Sequence, residues 1–342
     1  MNLGLILITA VNAILPILLL ILLGYILKKV GFLNDNFLAV GNKLVFNICL
    51  PAMLFINIYD IEGFSAIQWD VVIYSVAAVC LLFALSFLPA LTSTKDPLRK
   101  GVVMQCVYRS NYAIIGIPLA TALGGAQAAA VTAVISAFSI PVFNTFAVIS
   151  LTIFKKDSHA KKVDIGGILR NIVKNPLIIG VALGLICLGI RQAQLEIWGQ
   201  IVFAMNRQIK FLYTVLNSLK GITTPLALIV LGGQFEFSAV KGMFREIAAG
   251  TLWRTVLAPL IGLGLAVILS SYTRLLHCGP NEYPALIALF GSPVAVSSAV
   301  MAAGMKNDGQ LAAQLVVWTS IVSIFTIFAT ICIMMPMGLL TP

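Results

Sequence analysis

The chain has 342 residues, of which 60% are hydrophobic and 10% charged, and its mean hydropathy is +1.03. Soluble domains carry ~45–50% apolar and about 25% charged residues, so this composition excludes a soluble enzyme or nucleic-acid-binding domain and requires a membrane protein. The formal charge of +10 is accounted for by basic loops between apolar runs and implies no polyanionic partner.

Ten apolar runs are long enough to cross a bilayer, which takes about 20 residues. The first, Leu5–Leu27, has no basic leader before it and no small-residue cleavage site after it, and so reads as a retained span, not a signal peptide. The second, Leu38–Ile58, contains Leu50-Pro51-Ala52-Met53-Leu54-Phe55. Leu50, Pro51 and Phe55 are candidate apolar walls of a binding site, with ordinary core packing as the alternative.

The third run is Val71–Leu91, and the fourth, Gly101–Leu123, is interrupted. It holds Arg109-Ser110-Asn111 and then Gly116-Ile117-Pro118, where proline removes a backbone donor and clashes with the preceding turn. Non-helical backbone at membrane depth is tolerated only when buried in protein or lining a water-filled cavity. Arg109, Asn111, Gly116 and Pro118 are therefore candidate site residues. Asn111 can bond carbonyls released by the break or point its amide into a cavity, and Arg109 can cap carbonyls or face an anion.

The fifth run, Gln127–Phe154, is followed by a polar loop, 155–174, that divides the chain into two halves, 1–154 and 175–342. The remaining runs are Asn175–Ile190, Leu212–Phe235, Ile247–Ser271, Pro284–Met305 and Leu311–Met337. The ninth carries a second interruption, Gly291-Ser292-Pro293-Val294, with Ser297 and Ser298 close by. Ser292, Pro293, Val294, Ser297 and Ser298 join the candidates, the serines having back-bonding to their own helix as the alternative.

The two halves repeat in order. Pro16 and Gly24 in the first span match Pro176 and Gly184 in the sixth; Leu50-Pro51 matches Thr224-Pro225; the fourth and ninth spans are both broken. Five spans per half insert the second half upside down, and paired broken spans in an inverted repeat mark the binding site of secondary transporters. On one side lie Lys28, Lys29, Lys95, Arg99, Lys100, Lys155, Lys156, Lys161, Lys162, Arg170, Lys174, Lys241, Arg245 and Lys306; on the other only Arg191, Arg207, Lys210 and Arg274. The positive-inside rule makes the richer side cytoplasmic and places both termini outside.

Lys43, Arg109, Lys220 and Arg254 fall inside runs, whereas Asp35, Asp60, Glu62, Asp70, Glu236 and Glu246 fall at ends or in loops. A lone charge at the bilayer centre costs at least ~2.5–3.5 kcal/mol, so each cation needs water, carbonyls or an anionic ligand. Lys43 and Arg254 are expected to snorkel toward the interface; Lys220 stays open. Cations without intramembrane acids, together with half-helix N-termini that favour negative charge, suit an organic anion as cargo. No metal or disulfide spacing, nucleophile motif or Walker lysine motif is present, so neither an enzyme, a metal site nor an ATP-driven pump is expected.

Leu23-Gly24-Tyr25, Asn42-Lys43-Leu44-Val45, Leu50 to Phe55, Asn111 with Gly116-Ile117-Pro118-Leu119, and Met301 through Asp308 into Leu311 together resemble the auxin efflux carrier family over the whole chain. That family includes plant auxin exporters and bacterial malate/malonate permease-like proteins. The resemblance implies a ten-helix crossover fold, a scaffold of spans 1, 2, 6 and 7, a mobile unit of spans 3–5 and 8–10, a homodimer in the plasma membrane, and a carboxylate-binding role for Asn111. This chain departs from the plant pattern at Ser110, where they have proline, and at Val294, where they have glutamine. The expected function is a secondary transporter of small organic anions working by elevator-type alternating access, with no cofactor and with H+ or Na+ as alternative coupling ions. A sodium-coupled symporter of larger amphipathic anions and a channel-like facilitator or sensor are the competing readings.

Overall fold

A computed structural model describes residues 3–61, 63, 68–154, 176–235, 242–273 and 275–340. The expected loop 155–174, along with Glu62, Asn175, Glu236, Lys241 and Arg274, lies outside them. The described residues are almost wholly helical, and their only sheet-like pairing is an isolated antiparallel bridge between Ser110 and Val294.

In chain order the helices are α1 Leu3–Lys29, α2 Asp35–Leu44, α3 Leu50–Tyr59, α4 Trp69–Leu85, α5 Phe87–Ser93, α6 Pro97–Tyr108, α7 Ile117–Ile153, α8 Pro176–Trp198, α9 Met205–Gln208, α10 Lys210–Gly233, α11 Phe244–Leu252, α12 Ala258–Tyr272, α13 Glu282–Gly291, α14 Ser297–Gly304 and α15 Gly309–Met334. Among the described residues, eight continuous helical stretches are long and apolar enough to cross a membrane: Ala10–Lys29, Asp35–Tyr59, Trp69–Ser93, Tyr112–Ile153, Pro176–Trp198, Lys210–Gly233, Phe244–Tyr272 and Gly309–Met334. The expected ninth span is two short helices, α13 and α14. The expected fourth is α6 plus the start of Tyr112–Ile153, a stretch that kinks at Gly124 and Gly125.

Among the described residues three π turns occur, two of them inside continuous helices at Val45–Cys49 and Trp253–Leu257 and one, Tyr112–Gly116, at the start of a helix that runs on to Ile153. Each ends two residues before a proline, Pro51, Pro118 and Pro259 respectively. A proline within a helix lacks the N–H owed to the carbonyl four residues back, and its ring crowds that carbonyl. Widening the preceding turn by one residue relieves the crowding, and such π bulges recur at functional sites. Gly116 and Pro118 therefore belong to a restarted helix. The non-helical backbone lies earlier, at Arg109–Asn111, where α6 ends.

Close glycine contacts tie four helices together. A side chain at Gly24 of α1 would strike the Ile229 carbonyl of α10, and one at Gly232 of α10 would strike the Ile21 carbonyl of α1. Gly180 of α8 sits against Pro51 of α3, and Gly184 of α8 against Ile58. Small residues at such positions let backbones approach closely where lipid supplies no hydrophobic drive. On the basic-loop side, Arg99 of α6 meets buried Glu246 of α11 at 3.2 Å and Asp308, the α15 N-cap, at 2.9 Å.

Candidate functional site

The broken helices meet where their extended links run antiparallel. Asn111 N–H donates to the Pro293 carbonyl at 2.7 Å, Ala295 N–H donates to the Arg109 carbonyl at 3.1 Å, and Ser110 faces Val294 between them. Val294 N–H is completed by Thr319 Oγ1 of α15 at 3.2 Å. The two positions at which this chain departs from the plant pattern are thus the two that face each other across the link.

Breaking two helices frees backbone carbonyls at the C-terminal ends of α6 and α13, and buried carbonyls need donors. Arg254, placed by the third π turn, supplies them. Its Nε donates to the Ser292 carbonyl at 2.7 Å, Nη1 to Val107 at 3.1 Å, and Nη2 to Leu289 at 2.8 Å and Phe290 at 3.1 Å. This corrects the expectation that Arg254 snorkels, since it is 0% exposed. The planar five-donor fork of arginine suits this task where a lysine's point charge does not.

The opposite faces of the breaks carry helix N-termini. Asn111 precedes the π turn that restarts into α7, its own carbonyl accepting from Ile115 and Gly116 at 3.0 and 3.2 Å. Val296 and Ser297 begin α14. Both ends border a cavity of about 420 Å³ lined by Phe46, Asn47, Arg109, Asn111, Asn144 and Ser297, among others. A wider space of about 740 Å³ adjoins it, sharing Phe46, Asn47, Arg109 and Ser297 and reaching Lys43, Gln234 and Gln310 near the basic-loop ends of their helices. Lys43 is exposed there.

Arg109 is 5% exposed and held from three sides: Nη2 donates to Asn144 Oδ1 at 2.9 Å and to Ser297 Oγ at 3.1 Å, and Nη1 contacts Met301 Sδ at 3.3 Å. In the amide orientation that satisfies its neighbours, Gln105 accepts from Arg109 at 3.2 Å and donates to Ser298 Oγ at 3.1 Å. Carbonyl capping is Arg254's role, and Arg109 is instead a fixed cation in the cavity wall. Asn111 is 3% exposed, and its Nδ2 has no hydrogen-bond partner. A buried amide nitrogen without an acceptor is costly, and here it belongs to a cavity-lining residue at a helix N-terminus.

Of the sequence candidates, Arg109, Asn111 and Ser297 line the cavity together. Ser292, Pro293, Val294 and Ser298 are buried in the crossing behind it, and Gly116 lets the restarted helix approach α13, a Cβ there meeting the Ala288 carbonyl at 3.3 Å. Pro118 is half-buried in α7, outside the lining. Leu50 is core, while Pro51 and Phe55 face a separate groove between α3, α8 and α10. Lys220, left open by the sequence, approaches Asp60 at 3.9 Å. Asn144 and Asn47 escaped the sequence reading. A signal for Asn144 was available, because a buried arginine without a carboxylate requires a neutral acceptor at the same depth.

Residues 9–331 match the family described as membrane transport protein. An uncharacterized transporter of Methanothermobacter thermautotrophicus is 22% identical over 318 residues, covering 92% of this chain and 95% of that protein. One from Methanocaldococcus jannaschii is 25% identical over 321 residues, covering 92% and 96%.

Proposed function

The chain belongs to the membrane transport protein family, that of the auxin efflux carriers, and on that premise we propose that it is a secondary carrier of small organic anions whose carboxylate is held at Asn111. The observation that carries this reading is the buried, unpartnered Nδ2 of Asn111, a residue that lines the same cavity as the fixed guanidinium of Arg109. An ionised carboxylate is acceptor-only and complements both groups. The crossing also separates polarity. Carbonyl ends point at Arg254, and N–H ends, which favour anions, border the cavity.

The packing supports elevator-type alternating access. α1 pairs with α10 and α8 with α3 through close glycine contacts. Exchanging the two halves of an inverted repeat would map one pairing onto the other, as spans 1 with 7 and 6 with 2. These four spans make the scaffold, the broken helices and their neighbours make the mobile unit, and the cavity between them connects to the Lys43 side. We take the protein to be a homodimer in the plasma membrane with both termini outside.

Thermal denaturation of the purified protein against mono- and dicarboxylates tests the site. Carboxylates are expected to raise the melting temperature and neutral amide analogues to leave it unchanged. Arg109→Lys, which keeps the charge and loses the fork, retains a reduced shift, and Arg109→Gln loses it. An undiminished shift in Arg109→Gln would confine this arginine to bracing Asn144 and Ser297. Orientation is tested by cysteine labelling in a cysteine-free background. Lys95→Cys is expected to react with an impermeant maleimide only from the cytoplasm and Gln200→Cys only from outside; the reverse pattern would invert the carrier.

A further inference from the structure

A second concavity, of about 550 Å³, lies on the far side of α3, between α8 and α10. Its lining is almost entirely apolar, and the flanking side chains of Ile179, Leu183, Ile190, Phe203 and Leu212 are 40–52% exposed, none of them packed into a core. The groove follows the π turn and α3 from Asn47 to Tyr59. Twelve residues at the helical rise span about 18 Å, close to the ~15 Å depth of one leaflet's hydrocarbon.

The outer end of the groove is cationic. Arg191 lines it and is anchored there: Nη1 donates to the Tyr59 carbonyl, and the guanidinium lies over the Tyr59 ring at 5.2 Å. Arg207 and Lys210 are both exposed and flank Met205, Ile209 and Leu212, which line the same end. The loop pattern of the sequence puts only four basic residues on this face of the protein, and three of them gather here. The positive-inside rule gives no reason for such a cluster on the sparsely basic face.

We infer that this groove binds an anionic phospholipid, one acyl chain lying along α3 and the headgroup phosphate meeting Arg191, Arg207 and Lys210. A small organic anion has little to hold it along the channel, because between Asn47 and the rim the lining offers no hydrogen-bonding side chain besides Tyr59 and the weak thiol donor of Cys187. A second copy of the chain docked about a two-fold axis would present the same patch to itself and set the two cationic rims against each other. An anionic lipid satisfies the apolar channel and the rim together.

The experiment is lipid retention by the full-length protein, reconstituted in equal phosphatidylglycerol and phosphatidylcholine, re-extracted, and read by native mass spectrometry. Basic residues near a membrane surface each contribute enough that two of them shift preference by roughly tenfold or more. The wild type is expected to keep phosphatidylglycerol in about that excess, and the Arg207→Gln, Lys210→Gln double variant to keep the two lipids near parity. Leu183→Trp, which fills the groove, is expected to retain neither, with unchanged elution and melting temperature. Equal retention of both lipids by the wild type, or an undiminished preference in the double variant, would overturn the inference. So would a Leu183→Trp protein that keeps its lipid but changes from dimer to monomer, which would assign the groove to a second copy.

Discussion

Arg254→Met is expected to be the most destabilising single substitution in this chain. Four carbonyls at the ends of two broken helices depend on this guanidinium, and the site is fully enclosed. Unsatisfied buried acceptors cost about 1–3 kcal/mol each, and removing one partner of a buried charged cluster costs about 3–5 kcal/mol. A kcal/mol moves the melting temperature of a large domain by about 2–4 °C, so the variant should melt roughly 10 °C lower or fail to accumulate. Arg254→Lys keeps the charge but reaches fewer of the carbonyls and should fall between. Fluorescence-detected thermal denaturation in detergent reads both. Wild-type melting of Arg254→Met would mean that the crossing holds itself together through the Asn111–Pro293 and Arg109–Ala295 backbone bonds alone.

Asn111→Ala is expected to have the largest effect on transport with the least effect on folding. Its Nδ2 bonds nothing within the protein, while its backbone carbonyl and N–H, which shape the restart of the helix, survive the substitution. A hydrogen bond to a charged group contributes about 1.5–3 kcal/mol, so carboxylate affinity should fall roughly tenfold or more, with melting temperature and oligomeric state preserved. Isothermal titration against the best-shifting carboxylate measures this. Unchanged affinity would return Asn111 to a purely structural place at the head of its helix.

The membrane helices were legible because bilayer crossing imposes length and apolarity together. Outside the fourth and ninth runs, which are broken, the described helices keep the expected runs and extend most of them by a few residues. α8 is the largest extension: Arg191 looked like the start of a loop, yet the helix continues to Trp198 while Arg191 packs on Tyr59. The location of the first break was less legible. Gly116-Ile117-Pro118 looks like the interruption, but proline acts on the turn before it, so the widened turn falls at Tyr112–Gly116 and the extended link at Arg109–Asn111. The roles of the two arginines could not be divided from their depth alone. Arg254 finds its carbonyls 35 to 147 residues away, and Arg109 meets Asn144 and Ser297, contacts that exist only once both breaks have been brought together. Leu50, Pro51 and Phe55 show the same limit from the other side. Composition marked them as walls, but the rotation of α3 about its axis decides which space each residue faces.

The central claim, a carrier that holds a carboxylate at the crossing, is tested most directly by counterflow in proteoliposomes. Vesicles are loaded with an excess of unlabelled organic acid and diluted into trace labelled acid. Uptake is expected to overshoot transiently, to depend on internal acid, to saturate, and to vanish for the neutral amide analogue and in Asn111→Ala. Flux that is linear in concentration and indifferent to internal acid, or equal counterflow of the neutral analogue, would contradict it.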